Sequence, residues 1–302
     1  MTDKRIILLD PSTLANADCM RKIQLGNRQG LQPKLGSDPL DFGQALHRGI
    51  ADYRTDFFLR GPLQVNAEKS IAVATEYYDK CLCAKEPPRT RDTLALALTF
   101  YFEKVIPRDQ FVPLMTPDKT KLALEIPFKI PLYSTPTTDV LLSGVLDGVG
   151  HYGKRMVMFD TKHSATFDIK KHLAEQVARP QFQYYAEAML YLGYGMGDGK
   201  YLPIVIDGVY LGNGDDIRFA RSEVYQIPTF LIERSMIQAR HIARQMAELS
   251  DGDEWPHNFN ACQGRYRMCE FNTLCSIPTS SQSIPRRICY KERVYDPTTF
   301  GD

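Results

Sequence analysis

No stretch of this chain is apolar enough to approach a membrane span, and no opening apolar segment resembles a signal peptide. The expectation is a soluble, cytoplasmic protein with no membrane partner. An excess of one charge is missing too. The 37 Lys and Arg against 36 Asp and Glu leave a formal net charge of +1, so the chain is not coated for nucleic acid and any such contact must come from local patches. There is no Gly-x-x-x-x-Gly-Lys-Ser/Thr loop, hence no sign of a built-in ATP motor, and neither internal repeats nor low-complexity segments occur. Cys-x-x-Cys pairs are absent, which counts against a zinc knuckle. The 7 cysteines are an odd number; in a reducing compartment they point to metal ligation or buried thiols rather than a disulfide framework.

What is present suffices for a large core, since the chain has 302 residues and ordinary apolar and charged content. A helical pattern runs over 11–58, with Asp38 as N-cap and Pro39 in the first turn ahead of 40–57, and Gly61-Pro62 ends it. Further helices are expected over 66–84 and 91–105, separated by Pro87-Pro88. The middle changes character: 122–131, 140–152, 155–163, 202–211 and 217–227 read as strands. A helix over 180–192 falls between the third and fourth, and a long amphipathic helix over 228–249 precedes a cysteine-bearing tail. The reading is α/β: an N-terminal helical lobe (1–110), a mixed-sheet core flanked by helices (111–250) and a tail (251–302).

The most informative feature is Asp147, closing the run Gly144-Val-Leu-Asp147, together with Asp160-Thr161-Lys162 beyond one tight turn. Gly153-Lys154 suits a two-residue type II′ hairpin with glycine first. In that register Tyr152 faces Arg155, and counting outward sets Asp147 opposite Asp160. Lys162 shares their face, because side-chain direction in a strand repeats every two residues. Opposed like charges destabilise a sheet unless something positive lies between them, and a hard cation is the natural candidate. The alternative is that these acids simply sit at a solvated rim.

Gln181 and Tyr185, four apart, project from one face of the next helix. In order, Gly43-Gln-Ala-Leu-His47, Gly144-Val-Leu-Asp147, Asp160-Thr-Lys162 and Gln181-Phe-Gln-Tyr-Tyr185 resemble the motifs of the PD-(D/E)XK nuclease superfamily, in particular its RecB-like branch. The resemblance covers most of the chain and implies a restriction-endonuclease-like core. Leu146 stands where the superfamily's name has proline, and Asp160 replaces glutamate; both look usual for that branch. By this resemblance a metal would see the His47 imidazole, the carboxylates of Asp147 and Asp160, and the Thr161 carbonyl. Such a shell suits Mn²⁺ and tolerates Mg²⁺. Lys162 would orient or deprotonate the attacking water, or stabilise charge; Gln181 and Tyr185 would position the water, Lys162 or the DNA backbone. Glu125 resembles an acid that often precedes Gly-x-x-Asp in the branch, and equally reads as a solvated strand carboxylate.

In the tail, Cys262, Cys269 and Cys275 lie close in sequence and need a fourth ligand, because structural zinc and cubic iron–sulfur clusters both take four. Cys19 looks like the missing one, and Cys289 is the alternative. One N-terminal cysteine with three near the C terminus resembles the iron–sulfur nucleases of the same branch, of the AddB and CRISPR-adaptation types. A [4Fe-4S] cluster is expected there, clasping the two ends of the chain; zinc and free thiols are the other readings.

The resemblance implies a metal-dependent deoxyribonuclease, an exonuclease on single-stranded DNA or DNA ends in recombination, repair or replication, with a helicase or recombination protein as a further partner. The alternatives are a structure-specific endonuclease and a catalytically silent DNA-binding subunit of a helicase–nuclease assembly. Basic residues available for the backbone are Arg21, Lys22, Arg28, Lys34, Lys170, Lys171, Arg286, Arg287, Lys291 and Arg293.

Overall fold

The computed structural model describes residues 4–165, 168–177, 179–195, 199–212, 216–250, 252–253, 255–263, 268–292 and 296; Arg293 lies outside them. The first elements are β1 (Arg5–Leu9), α1 (Pro11–Ala15), α2 (Met20–Ile23), β2 (Leu31–Pro33), α3 (Asp38–Arg60), α4 (Ala67–Lys80) and α5 (Arg91–Phe100). Then follow β3 (Phe111–Pro113), β4 (Leu124–Ser134), β5 (Thr138–Tyr152), β6 (Arg155–Ser164), α6 (Ile169–Val177) and α7 (Gln181–Tyr191). The chain continues through β7 (Tyr201–Leu211), β8 (Ile217–Arg221), β9 (Tyr225–Pro228), α8 (Thr229–Glu248), α9 (Asn272–Cys275), α10 (Ser283–Cys289) and β10 (Tyr290–Glu292). The fold is α/β, with a mixed multi-strand sheet flanked by helices. Among the described residues no helix is long and apolar enough to cross a membrane.

Two compact units divide the chain, each drawn from several stretches. The larger comprises Gly36–Ile126 and Val145–Ile232. In it α3 carries Asp38 and Asp41 in the first turn and Arg60 in the last, matching the helix dipole, and ends at Gly61 with φ +87°. Ser37 is the N-cap, not Asp38, whose Oδ1 instead accepts a 2.5 Å hydrogen bond from the Tyr78 hydroxyl. The buried face of α3 (Phe42, Ala45, Leu46, Ile50, Tyr53) packs with Ala74, Tyr78, Leu94, Leu98 and Tyr101 of the helical layer. Asn66 and Thr90 cap α4 and α5 through their side chains. Regular helix stops at Phe100, short of the expected 105, because Tyr101–Val105 widens into a π turn.

The sheet strands of this unit form around the hairpin read from sequence. Gly153 has φ +61°, and the ladder runs from Tyr152↔Arg155 to Gly148↔Phe159, the expected register to within one residue of Asp147 and Asp160. β3 borders β5 at Phe111↔Tyr152, β6 pairs parallel with β7, and β7 carries β8 and β9 antiparallel. The strand expected over 217–227 is two. Between them Ser222 turns its hydroxyl to accept the Ile206 N–H at 2.9 Å, so a side chain interrupts the ladder.

The smaller unit comprises Met1–Leu35, Pro127–Gly144 and Glu233–Asp302. Here β1 pairs parallel with β5 over Arg5↔Thr138 to Leu9↔Leu142, a strand not anticipated. The single helical pattern expected over 11–58 breaks into α1, α2 and the π turn Gln24–Arg28 before β2, which pairs with β10 at the other end of the sequence. Leu25, Phe271, Leu274 and Tyr290 form an apolar cluster with Leu31, Cys269 and Cys275 against it.

Candidate functional site

At Asp147 the hairpin opens. In a continued ladder the Thr161 N–H would donate to the main chain of Leu146; instead it donates to Asp147 Oδ2 at 2.8 Å. The carboxylate thus enters between the strands, at a small recess lined by His47, Arg54, Leu124, Glu125, Asp147, Phe159 and Thr161 among others. Helix α3 delivers His47, whose Nδ1 lies 3.1 Å from Asp147 Oδ2. Burial works to lower the His47 pKa, but the charge and hydrogen bond of Asp147, with Glu125 adding, outweigh it and raise it to about 9. Burial likewise pushes Asp147 up, yet His47, Lys162 and the Thr161 N–H hold it below the usual carboxylate range.

The acids are not equivalent. Asp160, 3% exposed, holds Lys162 Nζ at 2.8 Å from Oδ1 and 2.7 Å from Oδ2. Burial raises the Asp160 pKa, partly offset by Lys162 and reinforced by Asp147, and the two acids keep Lys162 charged although burial acts against it. Only Oδ1 has hydrogen-bond geometry to the ammonium, so Oδ2 is a buried oxygen without a hydrogen-bond donor.

Of the expected metal shell, His47 and Asp147 come together; Asp160 pairs with Lys162, and Thr161, expected to ligate through its carbonyl, donates its N–H to Asp147. The residue that joins them is Glu125. One ligand atom each of His47, Glu125 and Asp147 lie within 4.8 Å of one another. Glu125 reaches them because its backbone turns to φ +46°, uncommon for a residue with a Cβ, at the start of β4. Burial first and then Asp147 push its pKa up. One imidazole and two carboxylates at this spacing suit a divalent cation of the Mn²⁺ or Mg²⁺ kind.

Gly43 has a distinct role. A Cβ there would meet His163 Cε1 at 3.0 Å and Nδ1 at 3.2 Å, so glycine lets α3 approach β6 closely enough for His47 to reach Asp147. The His163 pKa is pushed down to about 3, by burial first and by Arg89 and His47 next. Gln181 Nε2 donates to the Tyr185 hydroxyl at 3.1 Å, and α7 meets the centre through Phe182, whose ring lies 5.6 Å from Lys162 Nζ. Sequence gave no signal for Phe182, nor for Arg54, which anchors α3 two turns beyond His47.

The four cysteines lie in the smaller unit. Cys269 N donates to the Cys262 carbonyl at 2.8 Å, and burial raises the Cys275 pKa, with Cys269, Cys19 and Cys262 each adding to that rise. All are unbonded and partly buried, whereas Cys289 is exposed. A tetrahedral zinc with bonds of about 2.3 Å sets its sulfurs about 3.8 Å apart. Among the described residues no three of these sulfurs lie within 4.8 Å of one another. Around them the chain ends hold together: Asn258 Nδ2 donates to Asp18 O at 2.9 Å, Lys22 pairs with Glu270 at 3.6 Å, Lys34 Nζ donates to Arg287 O at 2.7 Å, and Arg286 donates to Gln29 Oε1 at 2.8 Å. Arg28 stacks on Trp255 at 5.6 Å, while Lys170, Lys171 and Lys291 are exposed.

No protein-family model matches the chain, and no curated protein matches it in sequence.

Proposed function

We propose that this chain is a metal-dependent DNA nuclease, similar to the RecB-like branch of the PD-(D/E)XK superfamily with its restriction-endonuclease-like core. It acts as an exonuclease on single-stranded DNA or DNA ends, using Mn²⁺ or Mg²⁺, and carries a [4Fe-4S] cluster on Cys19, Cys262, Cys269 and Cys275. The observation that carries the reading is the meeting of His47, Glu125 and Asp147 beside the buried Asp160–Lys162 pair where the β5–β6 hairpin opens. Burying three carboxylates costs several kcal/mol apiece unless each is compensated, and a structural rim has no need of that arrangement.

His47, Glu125 and Asp147 would hold the ion, with Asp160 fixing Lys162 beside them. When bound, a divalent ion supplies a Lewis acid for the scissile phosphate and lowers the pKa of water. Lys162, fixed by Asp160 and the Phe182 ring, keeps an ammonium at the reacting phosphate, where it orients water and stabilises developing negative charge. Gln181 and Tyr185 orient one another at the edge of that position. Degradation of end-labelled single- and double-stranded DNA and of a closed circle, by anaerobically purified protein with Mn²⁺, Mg²⁺ or chelator, tests the reading. Loss of linear DNA only, dependent on metal and absent in Asp160→Ala, is expected; cleavage unchanged in that variant removes Asp160 from the mechanism. Binding without cleavage by folded protein would favour a silent DNA-binding subunit.

A further inference from the structure

Just beyond Cys19 in the chain, two buried donors have nothing to donate to. Gln24 is fully buried, its Oε1 accepts a hydrogen bond from Arg21 Nη1, and its Nε2 has no acceptor. Arg21 Nε is buried and equally without one. Two such groups left unpaired would each cost about 1–3 kcal/mol, so an acceptor is expected beside them. Both residues follow Cys19 on α2 and the π turn, and the neighbouring Leu25 belongs to the apolar cluster against which Cys269 and Cys275 pack.

Charge points the same way. Arg21 lies within electrostatic reach of Cys275, and Lys22 of Cys269. Arg286 is held close enough to Arg21 that, after burial, their repulsion lowers its pKa. A cluster of like charges beside four thiols becomes favourable once those thiols are a dianionic metal–thiolate group. A zinc ion would offer only cysteine sulfurs as acceptors, whereas an iron–sulfur cube adds inorganic sulfides within the pocket itself.

We propose that Arg21 and Gln24 complete the cofactor pocket by donating hydrogen bonds from Arg21 Nε and Gln24 Nε2 to the sulfurs of the cluster bound by Cys19, Cys262, Cys269 and Cys275, and that these bonds raise its reduction potential. The inference rests on the reading of the four cysteines as cluster ligands. Hydrogen bonds and positive charge at the sulfurs stabilise the more negative, reduced state.

The test is an EPR-monitored reductive titration of the anaerobic full-length protein, after iron and labile-sulfide analysis. Gln24→Met, of near-equal volume, and Arg21→Met should each favour the oxidised state at least tenfold, a fall of about 59 mV for one electron. Arg21→Lys, which keeps the charge and loses Nε, should fall by less than Arg21→Met. Protein without iron and sulfide would overturn the cofactor reading and this inference with it. A full cluster with unchanged midpoints in the variants would overturn this inference alone. Should the variants fail to fold, pulsed EPR of the reduced wild-type cluster in protein with ¹⁵N-labelled arginine decides: a hyperfine coupling to a guanidinium nitrogen supports the assignment, and its absence overturns it.

Discussion

Replacing Arg54 by leucine probes how the larger unit holds the helix that carries His47. Arg54 lies seven residues beyond His47, two turns along the same face of α3, with its side chain 0% exposed. Its Nη2 lies 2.6 Å from Asp109 and 2.8 Å from the Tyr101 hydroxyl, and Asp207 is 3.9 Å away. Arg221 closes the group, bridging Asp207 and Asp109 with both sides of its guanidinium. Two arginines and two aspartates balance, and Tyr101 stays neutral because burial pushes its hydroxyl well up. Leucine fills the volume but leaves one buried carboxylate uncompensated, a loss of about 3–5 kcal/mol. Urea unfolding should register this as a lower midpoint at unchanged slope. Removing Asp109 as well restores the balance, so Arg54→Leu/Asp109→Leu should be more stable than the sum of the single changes by about 1–3 kcal/mol.

The pH dependence carries a sign. Burial alone would raise the Asp109 pKa; the Arg221 hydrogen bond and the charge of Arg54 overcome it and lower it below the usual value. A depressed carboxylate contributes stability that is present above its unfolded pKa of about 3.9 and lost as pH falls through the folded value. Arg54→Leu removes part of that depression. The gap in stability between wild type and variant should therefore be widest above about pH 5 and narrow steadily on acidification. A gap that stays constant from neutral to acid pH, or a loss under about 1 kcal/mol, would refute the reasoning. Manganese affinity in the variant should fall by about 10–100-fold, because His47 loses its anchor.

Gly43→Ala gains about 1 kcal/mol of helix propensity but forces α3 away from His163, so manganese affinity should drop at least about tenfold with little net change in urea midpoint. Isothermal titration separates the two, and an unchanged affinity would remove Gly43 from the positioning of His47. Lys162→Met should abolish cleavage of labelled DNA while leaving manganese binding intact; a loss of binding instead would make Lys162 structural. Cys269→Ala should give unstable or insoluble protein without brown colour, and a well-folded, fully active variant would count against the cluster.

The β5–β6 hairpin was legible because everything that sets it is local. Gly153 supplies the positive φ, the apolar runs on either side have strand composition, and the two-residue turn fixes which residues face each other. Local too is the i, i+4 pair Gln181–Tyr185. The cap of α3 was misplaced by one residue because Ser37 and Asp38 are both capping types, and the choice is made by Tyr78, forty residues away, which claims the Asp38 carboxylate.

Where the fold depends on distant partners, sequence pattern had nothing to read. The Arg54 group gathers Tyr101, Asp109, Asp207 and Arg221 from across the larger unit, and each taken singly looks like an ordinary charged or aromatic position. Glu125 is the sharpest case. As one acid among the apolar residues of a strand it reads as solvated, and alternation says only which face it occupies. What brings it beside His47 and Asp147 is a backbone turned to φ +46°, a conformation that glutamate does not choose and that the surrounding packing must impose. The opening of the ladder at Thr161 has the same origin, since a carboxylate one strand position beyond the last regular pair displaces the main-chain acceptor. The residue types were thus readable from their spacing, while the approach of Glu125 to His47 and Asp147 followed from one strained residue and one missing ladder bond, neither of which leaves a periodic trace.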